Sequence, residues 1–231
     1  MPERIREVNT KHYPQGWFDV QLLYADRWSE VTGEPIAVAR ERRTGLTRVL
    51  GQIANLATAT GDELYSQYLE LPHTDYIPSH LFGAFGYEYL TDTVKLHFEN
   101  PLRGTNPLSA EAFPSRRNEL RNLFSSVQEN HPDAKWVDSC SWMRSLRSYR
   151  ALFPPDLDPP ENCMKPDMIY GKSYVWGQLI DRYGQTNERI AQAFSDNLAQ
   201  AQTPEALVAA FPLPALRVHD PIEKYYQDLG L

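Results

Sequence analysis

Cysteine is scarce in this chain: only Cys140 and Cys163 occur in 231 residues. Two cysteines exclude a disulfide scaffold, and no CxxC spacing points to zinc. One bond between the two stays open. No run of about 18 apolar residues is present, so no membrane span is expected. The first thirty residues open with Pro2, Glu3, Arg4 and Arg6 and lack the short apolar stretch of a signal peptide, so a cytoplasmic location is expected. GxSxG, a Walker loop, HExxH and GxGxxG are also missing. These absences weigh against hydrolase, nucleotide, metalloprotease and dinucleotide readings. Neither internal repeats nor low-complexity segments occur.

What is present is an ordinary globular mixture, 42% hydrophobic and 23% charged, with a formal net charge of −7. The charge is unevenly spread. Residues 1–100 carry 9 basic and 14 acidic side chains, residues 101–150 carry 8 and 5, and residues 151–231 carry 6 and 11. A basic middle thus lies between two acidic flanks. The acidic whole, without aromatics interleaved among the basic residues, excludes nucleic acid as a partner.

Periodicity divides the chain further. Trp17, Val20, Leu23, Tyr24 and Trp28 recur at three- and four-residue intervals, which predicts a helix over 17–28. Further helices are expected over 35–59 and 63–69. Residues 81–90 and 93–98 predict a β-hairpin turning at Thr91-Asp92, with Val94, Leu96 and Phe98 opposite Lys95, His97 and Glu99. A loop over 100–107 precedes a helix ending near Glu129, with Ser109 as a cap and Pro114 as a reason for a later start. A strand over 135–142 leads to a helix over 146–153, and five prolines make 154–166 a loop. A strand is expected over 173–180, helices over 186–200 and 203–211 with Thr203 capping the second, and a final helical turn or two over 222–229. This order makes an α+β protein with a small central mixed β-sheet flanked by helices. It is expected to be one domain over 1–231, with a helical region over 1–75, an α/β core from 76 and a helical C-terminus.

Four constellations are candidate sites. His97 and Glu99 point to one side of a strand, where a histidine and a carboxylate can share a proton or, with His80 or His73 added, bind a metal. Cys140 and Trp142 sit where the next strand ends, and Cys140 as a nucleophile would need His97 as its base. The basic segment supplies Arg103, Gly104 and Thr105 in a loop before a helix, a setting that suits phosphate. It also carries Arg144, Arg147 and Arg150, which lie close together if their helix begins early. Tyr174, Trp176 and Gln178 would share one strand face as a ligand wall.

The residues Leu96-His97-Phe98, Pro107-Leu108-Ser109 and Cys140-Ser141-Trp142 carry two resemblances. With Tyr149-Arg150 and Leu152-Phe153-Pro154, the chain resembles a group of uncharacterised bacterial proteins. In the order strand, Pro-Leu loop, helix and Ser-Trp strand end, it is similar to the C-terminal part of GNAT-like N-acyltransferases. That second resemblance implies a GNAT-like order of elements, acyl-CoA as donor and an amine acceptor. It implies donor phosphates on Arg103, Gly104 and Thr105, His97 or Glu99 as general base, and Cys140 near the reacting carbonyl. Trp142, Arg147, Arg150, Tyr174 and Trp176 are then the candidate substrate contacts. Two alternatives stand beside it: an accessory protein docking an acidic partner on its basic surface, and a His/carboxylate metalloenzyme. The oligomeric state stays open.

Overall fold

The computed structural model describes residues 16–44, 55–70, 80–100, 104–166, 169 and 174–231. They fall into two compact units. One draws on residues 1–74 and 164–214, the other on 75–163 and 215–231. Among the described residues, no helix is long and apolar enough to cross a membrane.

The first unit is helical. Helix α1 (Gly16–Thr32) buries Trp17, Val20, Tyr24 and Trp28, the stripe its periodicity predicts. Helix α2 (Ile36–Thr44) begins after Pro35; the rest of the helix expected to reach 59 falls outside the described residues as far as 54, and Leu56–Thr58 is a 3-10 turn. Helix α3 is Gly61–Glu70. The core is aromatic: Tyr24 lies 5.6 Å from Trp176, and Trp176 5.0 Å from Phe211, ring centre to ring centre.

Tyr174–Leu179 forms a 3-10 helix, not the expected strand. Val175, Trp176, Gln178 and Leu179 are all buried, so no alternating ligand face exists there. The side chain of Gln178 does the pairing that a strand backbone would otherwise do. Its amide nitrogen donates to the Val175 and Leu213 carbonyls (3.0 and 3.1 Å), and its oxygen accepts from the Leu213 N–H (2.9 Å).

The second unit holds a six-stranded mixed sheet, which together with the helices makes the protein α+β as expected. Its strands are β1 (His80–Phe82), β2 (Phe85–Leu90), β3 (Thr93–Phe98), β4 (Trp136–Ser141), β5 (Glu161–Asn162) and β6 (Leu216–Pro221). Their spatial order is β1-β2-β3-β4-β6-β5. Only β3 and β4 are parallel; the other neighbours are antiparallel. The β2–β3 hairpin turns at Thr91-Asp92, the Asp92 carbonyl accepting from the Lys135 and Trp136 N–H groups at the start of β4.

Helix α4 (Phe113–Asn130) connects β3 to β4, as a crossover between parallel strands requires. It starts after Ala112 with Pro114 in its first turn, and Ser109 closes the preceding turn instead of capping the helix. A 3-10 turn (Trp142–Ser145) and the short α5 (Arg147–Arg150) follow β4. In the first unit, α6 (Glu188–Gln200) precedes α7 (Pro204–Ala209), which has the predicted Thr203 cap, with the hydroxyl accepting from the Ala206 N–H (3.1 Å). The chain closes the second unit with α8 (Ile222–Leu229), ended by Gly230 at φ +68°.

Leu120, Leu123, Phe124 and Val127 of α4 and Ile222 and Tyr225 of α8 cover one sheet face, formed by Phe85, Tyr87, Val94, Leu96 and Val137. The opposite face carries most of the sheet's charged side chains; Asp220 of β6, level with Val137, is buried on the core side and accepts from Lys224 Nζ (2.7 Å).

Candidate functional site

Strand parity decides which residues share the polar face. Gly86 is level with His97, Glu88 with Lys95, Lys95 with Asp138, Asp138 with His219, and Cys140 with Arg217. Five neighbouring strands therefore present Glu88, Lys95, His97, Asp138, Cys140, Glu161, Arg217 and His219 on one side. Leu81 and Leu90, half-exposed, lie at its far margin.

Two clusters form along this face. At β2 and β3, His97 Nε2 lies 3.5 Å from the Glu88 carboxylate. At β4 and β6, Asp138 accepts from Arg217 Nε (2.7 Å) and lies 3.8 Å from His219 Nδ1. The His219 ring stacks on Trp136 at 4.9 Å. Beside this second cluster a cleft of about 360 Å³ is lined by Asp158, Pro159, Glu161, Arg217, Val218 and His219.

Between the clusters the sheet changes character. The β2–β3 and β4–β6 ladders each run through six positions, whereas β3 and β4 pair only over Thr93–Lys95 and Trp136–Asp138. Past Lys95 and Asp138 the parallel pairing ends while each strand keeps its outer neighbour. His97 and Cys140 both lie two residues beyond that last pair, so their side chains leave the same face on either side of the parting. Glu99 lies just past the end of β3, its N–H donating to the Ala84 carbonyl (2.8 Å).

Burial lowers the His97 imidazole below its ordinary value; Glu88 raises it in part, Lys95 lowers it and Glu99 raises it. The folded protein therefore favours neutral imidazole, the form that can accept a proton at neutral pH. Protonation carries a stability cost with a definite sign. The unfolded chain binds more protons near the ordinary histidine pKa of about 6.5, so stability is full above that pH and falls as pH drops towards the lower folded value. Replacing His97 with Gln is expected to flatten this acid limb. Urea titrations of both proteins at about pH 7.5 and about pH 5 check it, and an equal acid loss in both would contradict it.

Cys140 and Cys163 are joined in a disulfide. The bond ties β4 to the segment after β5, beside the start of β6, where the Cys163 N–H donates to the Ala215 carbonyl (3.0 Å). A bonded sulfur offers no thiolate, so the nucleophile expected at Cys140 exists only in the reduced protein.

The remaining candidates are scattered. Arg103, His73 and Tyr170 lie outside the described residues. Gly104 and Thr105 are exposed in the loop before α4. Trp142 is half-buried at the start of the 3-10 turn, where the Ser141 hydroxyl accepts from the Met143 N–H (3.1 Å). His80 faces the core side and stacks on Tyr87 at 4.7 Å, so it does not join His97. Among the described residues, no group of three or more His, Cys, Asp or Glu is placed to hold a metal ion. Trp176, expected as a ligand wall, is fully buried among aromatic rings.

The arginine triple is also broken. Leu146 is extended (φ −87°, ψ 127°) and separates the 3-10 turn from α5, so Arg144 turns inward while Arg147 and Arg150 stay exposed. The α4 arginines are engaged at home: Arg116 pairs with Glu119, Arg117 with Asp228 and the Leu152 carbonyl, and Arg121 donates to the Gly230 carbonyl. The basic surface is therefore thinner than the charge count implies. Asp138 belongs with Cys140 and Trp142 in the sequence already, whereas sequence reasoning missed Glu88 beside His97 and Arg217 and His219 beside Asp138; the alternation in 216–220 was the available signal for the last two.

No family model, curated protein or solved structure matches the chain.

Proposed function

We propose that the second unit is an acyl-transfer core that takes an acyl thioester such as acyl-CoA and passes its acyl group to an amine. The observation that carries this reading is the parting of β3 and β4. Two parallel strands that pair at their beginnings and then separate open a slot at their carboxyl ends, the place where ligands of open sheets bind. Main-chain groups along such a slot can take the amides of an extended donor arm, much as they would take an added strand. The loop before α4, with Arg103, Gly104 and Thr105, follows β3 and is the proposed seat for the donor's phosphates.

In this reading the acceptor nitrogen attacks the thioester carbonyl. The amide bond forms, the carbon–sulfur bond breaks, and the donor sulfur leaves as thiolate, which takes up the acceptor's proton once the base releases it. His97, kept neutral by burial against the opposing pull of the Glu88 carboxylate, takes the proton from the acceptor; Glu99 is the other candidate base. Cys140 forms part of the slot wall. The cytoplasmic setting expected from the sequence goes with the reduced dithiol, whereas the bonded pair goes with an oxidising compartment.

Thermal unfolding with CoA and with acetyl-CoA tests the proposal. A donor present at 100 times its dissociation constant stabilises by about 2.7 kcal/mol. A rise in melting temperature with both compounds is expected, and no rise at millimolar concentration would overturn the reading.

A further inference from the structure

Arg144 is 2% exposed, unlike the two arginines that follow it in sequence. A buried guanidinium is costly to keep even beside polar neighbours such as the Tyr225 hydroxyl, so its position calls for a structural demand. Its contacts identify one. The Arg144 Nε donates to the Ser139 hydroxyl (2.7 Å), and its guanidinium lies over the Phe153 ring at 4.6 Å and near the Tyr149 ring at 6.0 Å. Tyr149 packs on Phe153 (5.0 Å) and edge-on against Phe98 (5.3 Å). This unbroken series of contacts runs from Phe98, the last residue of β3, to Ser139 of β4. Ser139 is the first residue beyond the β3–β4 pairing, and Phe98 ends the strand that parts from it. Above the wedge, where the strands still pair, Val94 is level with Val137.

We propose that Arg144 is a positioning residue: with Tyr149 and Phe153 it forms a wedge that holds the carboxyl halves of β3 and β4 apart and so keeps the donor slot open. The planar guanidinium suits the task because it stacks on aromatic rings while one edge donates to Ser139. Lysine can supply the length and the charge but not the stacked plane. The role in donor binding rests on the acyl-transfer reading above; the role in strand separation does not.

The test uses the full chain with Arg144→Met, which keeps the bulk but removes charge and donor, alongside Arg144→Lys and the milder Ser139→Ala. Amide hydrogen exchange is followed in peptides covering 96–98 and 139–141. The expected result is at least tenfold slower exchange there in Arg144→Met as the strands close on each other, a smaller slowing in Ser139→Ala, and partial return in Arg144→Lys. Exchange unchanged or faster in a folded Arg144→Met protein overturns the wedge. Should Arg144→Met not fold, Ser139→Ala decides by the same criterion. For the donor, the KM for acetyl-CoA is expected to rise about tenfold or more with kcat little altered, and an unchanged KM in Arg144→Met overturns the link to the slot. Wild-type protein that binds no CoA defeats the acyl-transfer reading alone, since the exchange result stands without it.

Discussion

Trp176→Ala is expected to lower stability by about 3–5 kcal/mol, the usual cost of emptying a large aromatic site in a core. Trp176 is completely buried, and its ring meets Trp17 at 6.3 Å, Tyr24 at 5.6 Å, Phe194 at 6.0 Å and Phe211 at 5.0 Å. Losing the indole removes every one of these contacts at once, and rigid rings on all sides cannot collapse into the space. Urea titration of the variant measures the loss. A tryptophan lining a ligand wall, the role expected from an alternating strand, would give a different result: stability close to wild type and weaker ligand binding. That outcome would remove Trp176 from the core of the first unit.

Breaking the Cys140–Cys163 bond is the second large effect. The two cysteines are 23 residues apart in sequence, and closing a loop of that size restricts the unfolded chain by roughly 3 kcal/mol. The closed segment includes the prolines of 154–166, which have little regular structure of their own, so the covalent tie does much to keep β5 against β6. The paired substitution Cys140→Ser with Cys163→Ser is expected to lower the urea midpoint by a corresponding amount, and dithiothreitol is expected to do the same to the wild type. A midpoint indifferent to both would show that the bond does not restrain the unfolded chain.

Legibility in the sequence followed the range of the interactions. The turn at Thr91-Asp92, the Thr203 cap and α8 depend on neighbours within a few residues, and each lies where periodicity and turn chemistry put it, whereas the single strand expected over 81–90 folds back at Gly83 (φ +65°) into β1 and β2. The segment Tyr174–Leu179 has the aromatic and β-branched residues of a strand, yet the aromatic core and the Gln178 amide make a 3-10 helix of it. Strand β6 alternates Leu216 and Val218 with Arg217 and His219, a local signal that sequence reasoning passed over, and it ends at Pro221. The site shows the same division. His97 stands on the polar side of β3 as its alternation requires, while Asp138, Arg217 and His219 assemble only when β6 pairs with β4.

By itself the sequence determined the amphipathic helices, the hairpin with its polar and apolar sides, the basic middle between acidic flanks, and the α+β class. These follow from spacing, because side-chain direction repeats every 3.6 residues in a helix and every 2 in a strand. Only the tertiary structure decided that β6 enters between β4 and β5, that β3 and β4 part after three paired residues, that the cysteines meet, and that Arg144 turns inward while Arg147 and Arg150 remain outside. Each of these is settled by contacts between distant parts of the chain, where burial and packing outweigh the weak local preferences of a few residues.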